Sequence, residues 1–257
     1  DFDFNIKIDV VVIAVPLNER EKIIDKSLAL EPTLVVLEKP IAETCSVASP
    51  IIEKFRLSNV ELLVNYMRRF DPAILKFKRH ISEGYFGGAR AAQVYYCRGI
   101  LNNASHFIDL LIFLLGKPTS WHVIKNRICE SRIRDRNLQE FDFWIAFDEC
   151  RCFFHSVTQS DFSIGKLEVI FEKGIFRYDD FGRDVDFRKI EDDPHYYGYK
   201  HVMKKRTVIG SDLEHGQYHT AEHAYNYLKD GQTILSTGKS GMESLMICED
   251  LINNAGS

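Results

Sequence analysis

The chain has 257 residues, 45% of them apolar and 27% charged, a balance that supports a large core organised in one or two domains. Its 33 basic and 37 acidic residues leave a net charge of −4, so no basic excess points to nucleic acid or an anionic membrane surface. No apolar run approaches the roughly 20 residues of a membrane helix, and the polar, acidic start Asp1–Asp9 does not read as a signal peptide.

The pattern opens with Asp9–Val15, a near-continuous apolar run ending at Pro16, as expected of a strand buried on both faces. A helix is predicted over Glu19–Leu30, with acids in its first turn and Ile23, Ile24 and Leu28 inside. A second apolar run, Leu34–Leu37, ends in Glu38-Lys39-Pro40. A helix over Thr44–Arg56 and a third strand, Glu61–Asn65, follow. Strand, helix, strand, helix, strand with short links is a parallel sheet with crossover helices. A dinucleotide-binding sheet normally begins with a strand, a glycine-rich turn and a helix, the glycines letting the backbone approach a pyrophosphate. The first glycine here is Gly84. The expectation is therefore a partial Rossmann domain over residues 1–66, its first strands and glycine turn lying upstream of this sequence. On its own, such a chain would bind a dinucleotide weakly and be inactive.

Met67–Pro72 breaks the sheet pattern, and a helix is predicted over Ala73–Ser82. Gly84, Gly87 and Gly88 turn into a strand over Ala91–Arg98. After Gly99, a loop over Ile100–Ala104 enters an apolar helix over Ser105–Leu115, stopped by Gly116-Lys117-Pro118. The period then changes to two. Phe141–Phe147 with Arg151–Val157, and Lys166–Phe171 with Ile175–Tyr178, read as hairpins. Residues 179–215 are polar and read as a long excursion over the sheet. Helices over Thr220–Asp230 and Ser240–Asn253 close the chain. The fold class is thus α/β plus α+β, with residues 67–257 forming an α+β substrate-binding and oligomerisation domain built on an open-faced, mainly antiparallel sheet.

Lys39 follows a buried parallel strand, and in open α/β sheets the carboxyl ends of the strands face the ligand crevice. A lysine there can meet a cofactor or substrate, or be merely solvated. His106 and Asp109 stand three apart at the predicted start of the apolar helix and share a face. The positive end of the helix dipole would disfavour a charged His106, and a neutral imidazole suits a general base. A hydrogen-bonded structural histidine is the other reading. The six cysteines have no paired metal spacing and read as reduced thiols of a cytosolic protein. His219 and His223, four apart, lack a third ligand nearby, so no metal site is expected. Phe141, Phe143, Ile145 and Phe147 on one side of a strand, with Trp144 and Ala146 on the other, make both sheet faces apolar, which predicts a homodimer or homotetramer across the outer face.

Val11-Val12-Ile13-Ala14-Val15-Pro16, Glu38-Lys39-Pro40, Asn65-Tyr66-Met67-Arg68-Arg69-Phe70 and Ser105-His106-Phe107-Ile108-Asp109-Leu110-Leu111 occur in this order. Together they resemble the glucose–fructose oxidoreductase, inositol dehydrogenase and MocA family, specifically up to Gly116 and loosely beyond. The resemblance implies NAD or NADP as cofactor and hydride transfer to or from a carbon of a small-molecule sugar substrate. It implies that Lys39 polarises the reacting oxygen, that Pro40 is cis, and that Pro16 and Glu38 border the ribose and nicotinamide. It makes His106 the acid/base group with Asp109 its partner, and brings Arg68 or Arg69 to cofactor or substrate. Many members carry aspartate four residues before the histidine; here that residue is Asn102, which can orient a hydroxyl but cannot accept a proton at neutral pH. The segment Arg98–His106 looks more like members acting on nucleotide-linked sugars in bacterial surface-polysaccharide biosynthesis. Two other expectations stand beside an enzyme: a non-catalytic, nucleotide-sensing member, and a purely structural subunit that lost its cofactor site.

Overall fold

The structure, a computed structural model, describes residues 6–125, 131–133, 136–157 and 162–255. They form two compact units. The first comprises the chain up to Phe70 together with Gly216–Glu249; the second comprises Asp71–His215 and the residues from Asp250 onward. The helix after His215 therefore joins the first unit.

The first unit is built on a parallel sheet of β1 (Val10–Ile13), β2 (Leu34–Glu38) and β3 (Glu61–Asn65), in that order. Helices α1 (Leu17–Leu28) and α2 (Cys45–Leu57) make the crossovers. Leu34, Val35, Val36 and Leu37 are all buried, as a central strand requires. β1 departs from expectation: it pairs only with β2 among the described residues, only Ile13 is buried, and Val12 is 67% exposed. On its far side the sheet is extended by the segment at Ser236, through one backbone and one side-chain hydrogen bond. Val64 N–H donates to the Ser236 carbonyl (2.9 Å), and the Ser236 hydroxyl donates back to the Val64 carbonyl (2.7 Å). Leu34, Val36, Leu63, Phe70, Ala224 and Ile234 share one core.

The second unit opens with α3 (Pro72–Ser82). Asp71 caps it, accepting from Ala73 N–H at 2.7 Å, with Pro72 in the first turn. Then come β4 (Ala89–Tyr96), α4 (Ser105–Leu115), β5 (Ser120–Lys125), a small hairpin of β6 (Ser131–Ile133) and β7 (Arg136–Leu138), β8 (Asp142–Phe147), β9 (Cys150–Ser156), β10 (Gly165–Phe171), β11 (Gly174–Asp179), β12 (Asp184–Asp192), β13 (Lys200–Val202) and β14 (Thr207–Val208). Helices α5 (Gly216–Asp230) and α6 (Gly238–Ala255) close the chain. The sheet runs β13-β12-β11-β10-β4-β9-β8-β5, with β14 also on β12. All its pairs are antiparallel except β4–β9. Alternation decides the faces. Phe143, Ile145, Phe154, Leu167, Val169 and Phe176 point inward and are fully buried. α3 and α4 cover this inner face: the Phe77 ring stacks on Phe176 at 3.8 Å, and Phe107 meets Tyr178 edge-on at 6.2 Å.

The segment 179–215 is not a bare excursion, because it contains three strands. β12 is masked in sequence by its charges, which the sheet pairs off. Asp186, 1% exposed, lies opposite Arg177 in register and accepts from the guanidinium groups of Arg177 (2.9 Å) and Arg206 (2.9 Å). Arg206 of the basic cluster is thus committed to the sheet edge. No helix among the described residues is long and apolar enough to cross a membrane.

Candidate active site

In the first unit, parallel register places the three strand ends side by side. Ile13, Leu37 and Val64 are aligned, with Glu38 opposite Asn65 one step further on. Pro16 lies in the loop after β1 and leads into α1, its carbonyl accepting Glu19 N–H at 3.1 Å. Lys39 is the first residue past β2, and the Lys39–Pro40 peptide is cis. Both Glu38 and Lys39 are half-buried. The Glu38 carboxylate accepts from the Asn65 amide (2.7 Å). The same amide donates to Gln217 (3.0 Å), and Thr220 Oγ1 donates to Asn65 Oδ1 (2.9 Å). Asn65 thereby fixes the carboxylate beside Lys39 and ties it to α5.

Arg68 and Arg69 occupy a short 3₁₀ turn, Met67–Phe70, directly after β3, and both are buried. They are used differently. Arg69 donates to the Leu235 carbonyl at 2.7 Å. The Arg68 guanidinium acts on Lys39: burial first, then the Arg68 charge, push the Lys39 ammonium down to about 8, against the opposing pull of Cys248 and Glu38. A lysine so tuned is half deprotonated near pH 8 and can both hold negative charge and exchange a proton.

In the second unit, α4 is preceded by a π-helical turn, Ile100–Ala104, where sequence suggests a loop. Ala104 N–H reaches back five residues to the Gly99 carbonyl (3.2 Å). Gly99 starts the turn at φ 82°, a conformation that favours glycine. Its N–H donates to the fully buried Glu140 (3.0 Å), and Ile100 N–H donates to the Gln139 carbonyl (3.1 Å). Next to this anchor, Tyr96 Oη donates to the Phe141 carbonyl (2.6 Å) and accepts Phe141 N–H (3.1 Å). π-Turns inserted in helices recur at functional sites. This one carries Asn102 exposed and leads to His106, half-buried, and Asp109, 1% exposed.

The π-turn corrects one sequence argument. Ala104 has helical backbone angles, so helical structure runs unbroken from Ile100 and His106 lies in its second turn. A dipole effect confined to the first turn does not reach it. His223 Nε2 accepts Leu235 N–H (3.2 Å) and its ring lies against Phe70 (4.7 Å), so this histidine is tied into its own unit's core.

No family model matches the chain, and no curated protein sequence does either. Solved structures do. Levoglucosan dehydrogenase, in complex with NADH and levoglucosan, superimposes with a TM-score of 0.79 at 15% identity, over 97% of this chain and 78% of that one. The WlbA dehydrogenase of Bordetella pertussis, in complex with NADH and UDP-GlcNAcA, gives 0.72 at 18% identity, over 96% and 77%. UDP-N-acetylglucosamine 3-dehydrogenase of Acidithiobacillus ferrooxidans gives 0.73 at 13% identity, over 96% and 78%. At these identities the likeness establishes the fold: a Rossmann-type α/β sheet with a second, mainly antiparallel open sheet.

The candidates fall in two groups. Pro16, Glu38, Lys39, Pro40, Arg68 and Arg69 belong to the first unit; Asn102, His106 and Asp109 belong to the second. Three supporting residues have no role in the sequence reading: Asn65, which stands there only within the Asn65–Phe70 motif, Glu140 and Arg20. Arg20 left a trace there. It shares a helical stripe with Ile24 and Ser27, all three buried, and a charge on a buried stripe needs an internal partner.

Proposed function

We propose that the protein is an NAD(P)-dependent oxidoreductase that moves a hydride to or from a carbon of a sugar or nucleotide-linked sugar, in surface-polysaccharide biosynthesis. The observation that carries this reading is the strand-end lysine: Lys39, half-buried beside Arg68 and Glu38 after a central parallel strand and tuned to about 8. Its support from outside is the company of the fold, dehydrogenases solved with NADH, levoglucosan or UDP-GlcNAcA. The residues fit the nicotinamide–ribose end of the cofactor. A carboxylate held by Asn65, an ammonium and a buried guanidinium at the strand ends match hydroxyls and a carboxamide. Pro16, Glu38, Lys39 and Pro40 would hold that end, with Arg68 or Arg69 reaching the cofactor or substrate, Arg69 also donating to the Leu235 carbonyl.

When bound, the nicotinamide supplies or accepts the hydride. Lys39 holds the negative charge that develops on the reacting oxygen, His106 takes or returns the hydroxyl proton, Asp109 supports His106, and Asn102 orients a sugar hydroxyl. A sugar-dependent change in nicotinamide absorbance at 340 nm tests this; absence of turnover with any sugar or nucleotide sugar, in protein that binds NAD(H), would favour the second reading. That reading is a nucleotide-sensing member without catalysis, and Asn102 in place of an acid is what favours it.

The protein works in the cytoplasm on this proposal, which the reduced state of Cys45, Cys97, Cys150, Cys152 and Cys248 supports. Its partner on the outer sheet face is a second copy of itself. There Phe153 (38% exposed) lies beside Trp144 in register, with the Arg151 guanidinium over the indole at 4.4 Å, and Ile124 and Ile170 extend the apolar surface. Phe153→Glu is expected to convert a dimer or tetramer to monomer by light scattering; a monomeric wild type at micromolar concentration would refute the assembly.

A further inference from the structure

Arg20 makes a bracket across the strand-end loops. It is only 4% exposed, and its guanidinium donates to three backbone carbonyls: Val15 (3.2 Å) in the loop after β1, and Pro40 and Ile41 (3.3 Å) in the loop after β2. These carbonyls lie at or beside three of the candidate residues, Pro16, Lys39 and Pro40. Val15 immediately precedes Pro16, and Pro40 immediately follows Lys39. No other residue type can do this work from the first turn of α1. The guanidinium presents several donors in a rigid plane, whereas a lysine ammonium is a point on a flexible stem. Without the fork, carbonyls of two loops lose their donor, the one at Ile41 buried, and the tie between the loops is gone.

We propose that Arg20 is a positioning residue that locks the loops after β1 and β2 to one another and so fixes where Lys39 presents its ammonium. This rests on the functional reading given to Lys39. The groups that face Lys39 are Arg68 after β3, Cys248 on α6, Glu38 at the end of β2 and Arg20 on α1. Arg20 and Arg68 disfavour the charged lysine, while Glu38 and Cys248 favour it. Arg20 therefore acts twice, by geometry and by charge.

The two actions separate experimentally. Trace labelling of amines with acetic anhydride across pH, read by mass spectrometry at the Lys39 peptide, reports the lysine's titration in the folded protein without any turnover. In Arg20→Met the Lys39 titration is expected to move to higher pH, because one positive neighbour is gone. In Arg20→Lys, which keeps the charge but not the fork, it is expected to stay near its wild-type position. Turnover should fall at least tenfold in both variants, with little change in KM for the sugar. Circular dichroism verifies folding, and the lysine variant, close in size and charge, serves if the methionine variant unfolds. An unmoved Lys39 titration in Arg20→Met, or wild-type turnover in Arg20→Lys, would overturn the inference. Failure of the underlying reading looks different: Lys39→Ala itself would keep normal turnover while Arg20→Met still shifted the labelling curve.

Discussion

Lys39→Ala and His106→Ala are each expected to cut turnover by about 10²- to 10⁴-fold, the range for losing a positioned acid/base group. A half-buried lysine tuned to about 8 offers a compact ammonium whose proton is shared with its surroundings near neutral pH. Lys39→Arg should not rescue activity, because guanidinium stays charged and demands a planar partner. The wild-type rate should fall above about pH 8 as Lys39 loses its proton, and this limb should vanish in Lys39→Ala. His106 sits where helical backbone runs from the π-turn into α4, a rigid mount for a proton-moving group. His106→Ala should leave cofactor affinity almost unchanged, since the cofactor-contacting residues are assigned to the first unit. Asn102→Ala should be milder than either, because an orienting amide carries no proton. The ordering of the three variants by steady-state kinetics is the test. If Asn102→Ala were as damaging as His106→Ala is expected to be, while His106→Ala kept near-normal turnover, the base is misassigned and the sensor reading gains.

The parts that were legible in sequence are those with one dominant signal. β3 falls at Glu61–Asn65 and α4 at Ser105–Leu115, as apolar runs bounded by polar, glycine or proline residues dictate. The hairpins announce themselves by period two. What escaped is where tertiary pairing overrides composition. β12 reads as polar because its charges are balanced by Arg177 and Arg206 from neighbouring segments, which no local pattern displays. The π-turn reads as a loop because Asn102 and Asn103 are poor helix formers, and what holds it is Glu140, which receives Gly99 N–H from forty-one positions away. The site divides in the same way. Lys39, Glu38 and Pro16 follow from strand ends, a local inference. Arg20 and Asn65 act through loops and helices distant in sequence, so their roles needed the fold.

Lys39→Met is expected to stabilise the protein at pH 7 while cutting its turnover as Lys39→Ala does. Burial and Arg68 lower the folded-state value from 10.5 to about 8, so the charged lysine is penalised in the folded chain and not in the unfolded one. The sign follows from proton counting. Below about pH 8 both states hold the proton and the wild type carries the whole penalty. Between about 8 and 10.5 the unfolded state holds more protons, so wild-type stability rises with pH and the penalty disappears near the upper value. Its size at pH 7, reduced for the solvent that still reaches a half-buried side chain, is on the order of 1–3 kcal/mol. Methionine fills similar volume without a charge, and any packing gain it brings does not depend on pH. The measurement is therefore the difference in denaturant midpoints between Lys39→Met and wild type, at pH 7 and again near pH 10. A gap that is large at the lower pH and shrinks at the higher one is the expected result. A gap that ignores pH would show that Lys39 is an ordinary solvated lysine. A residue that costs stability and is still retained at a strand end is explained by what it does to a ligand, as stability is commonly spent at functional sites.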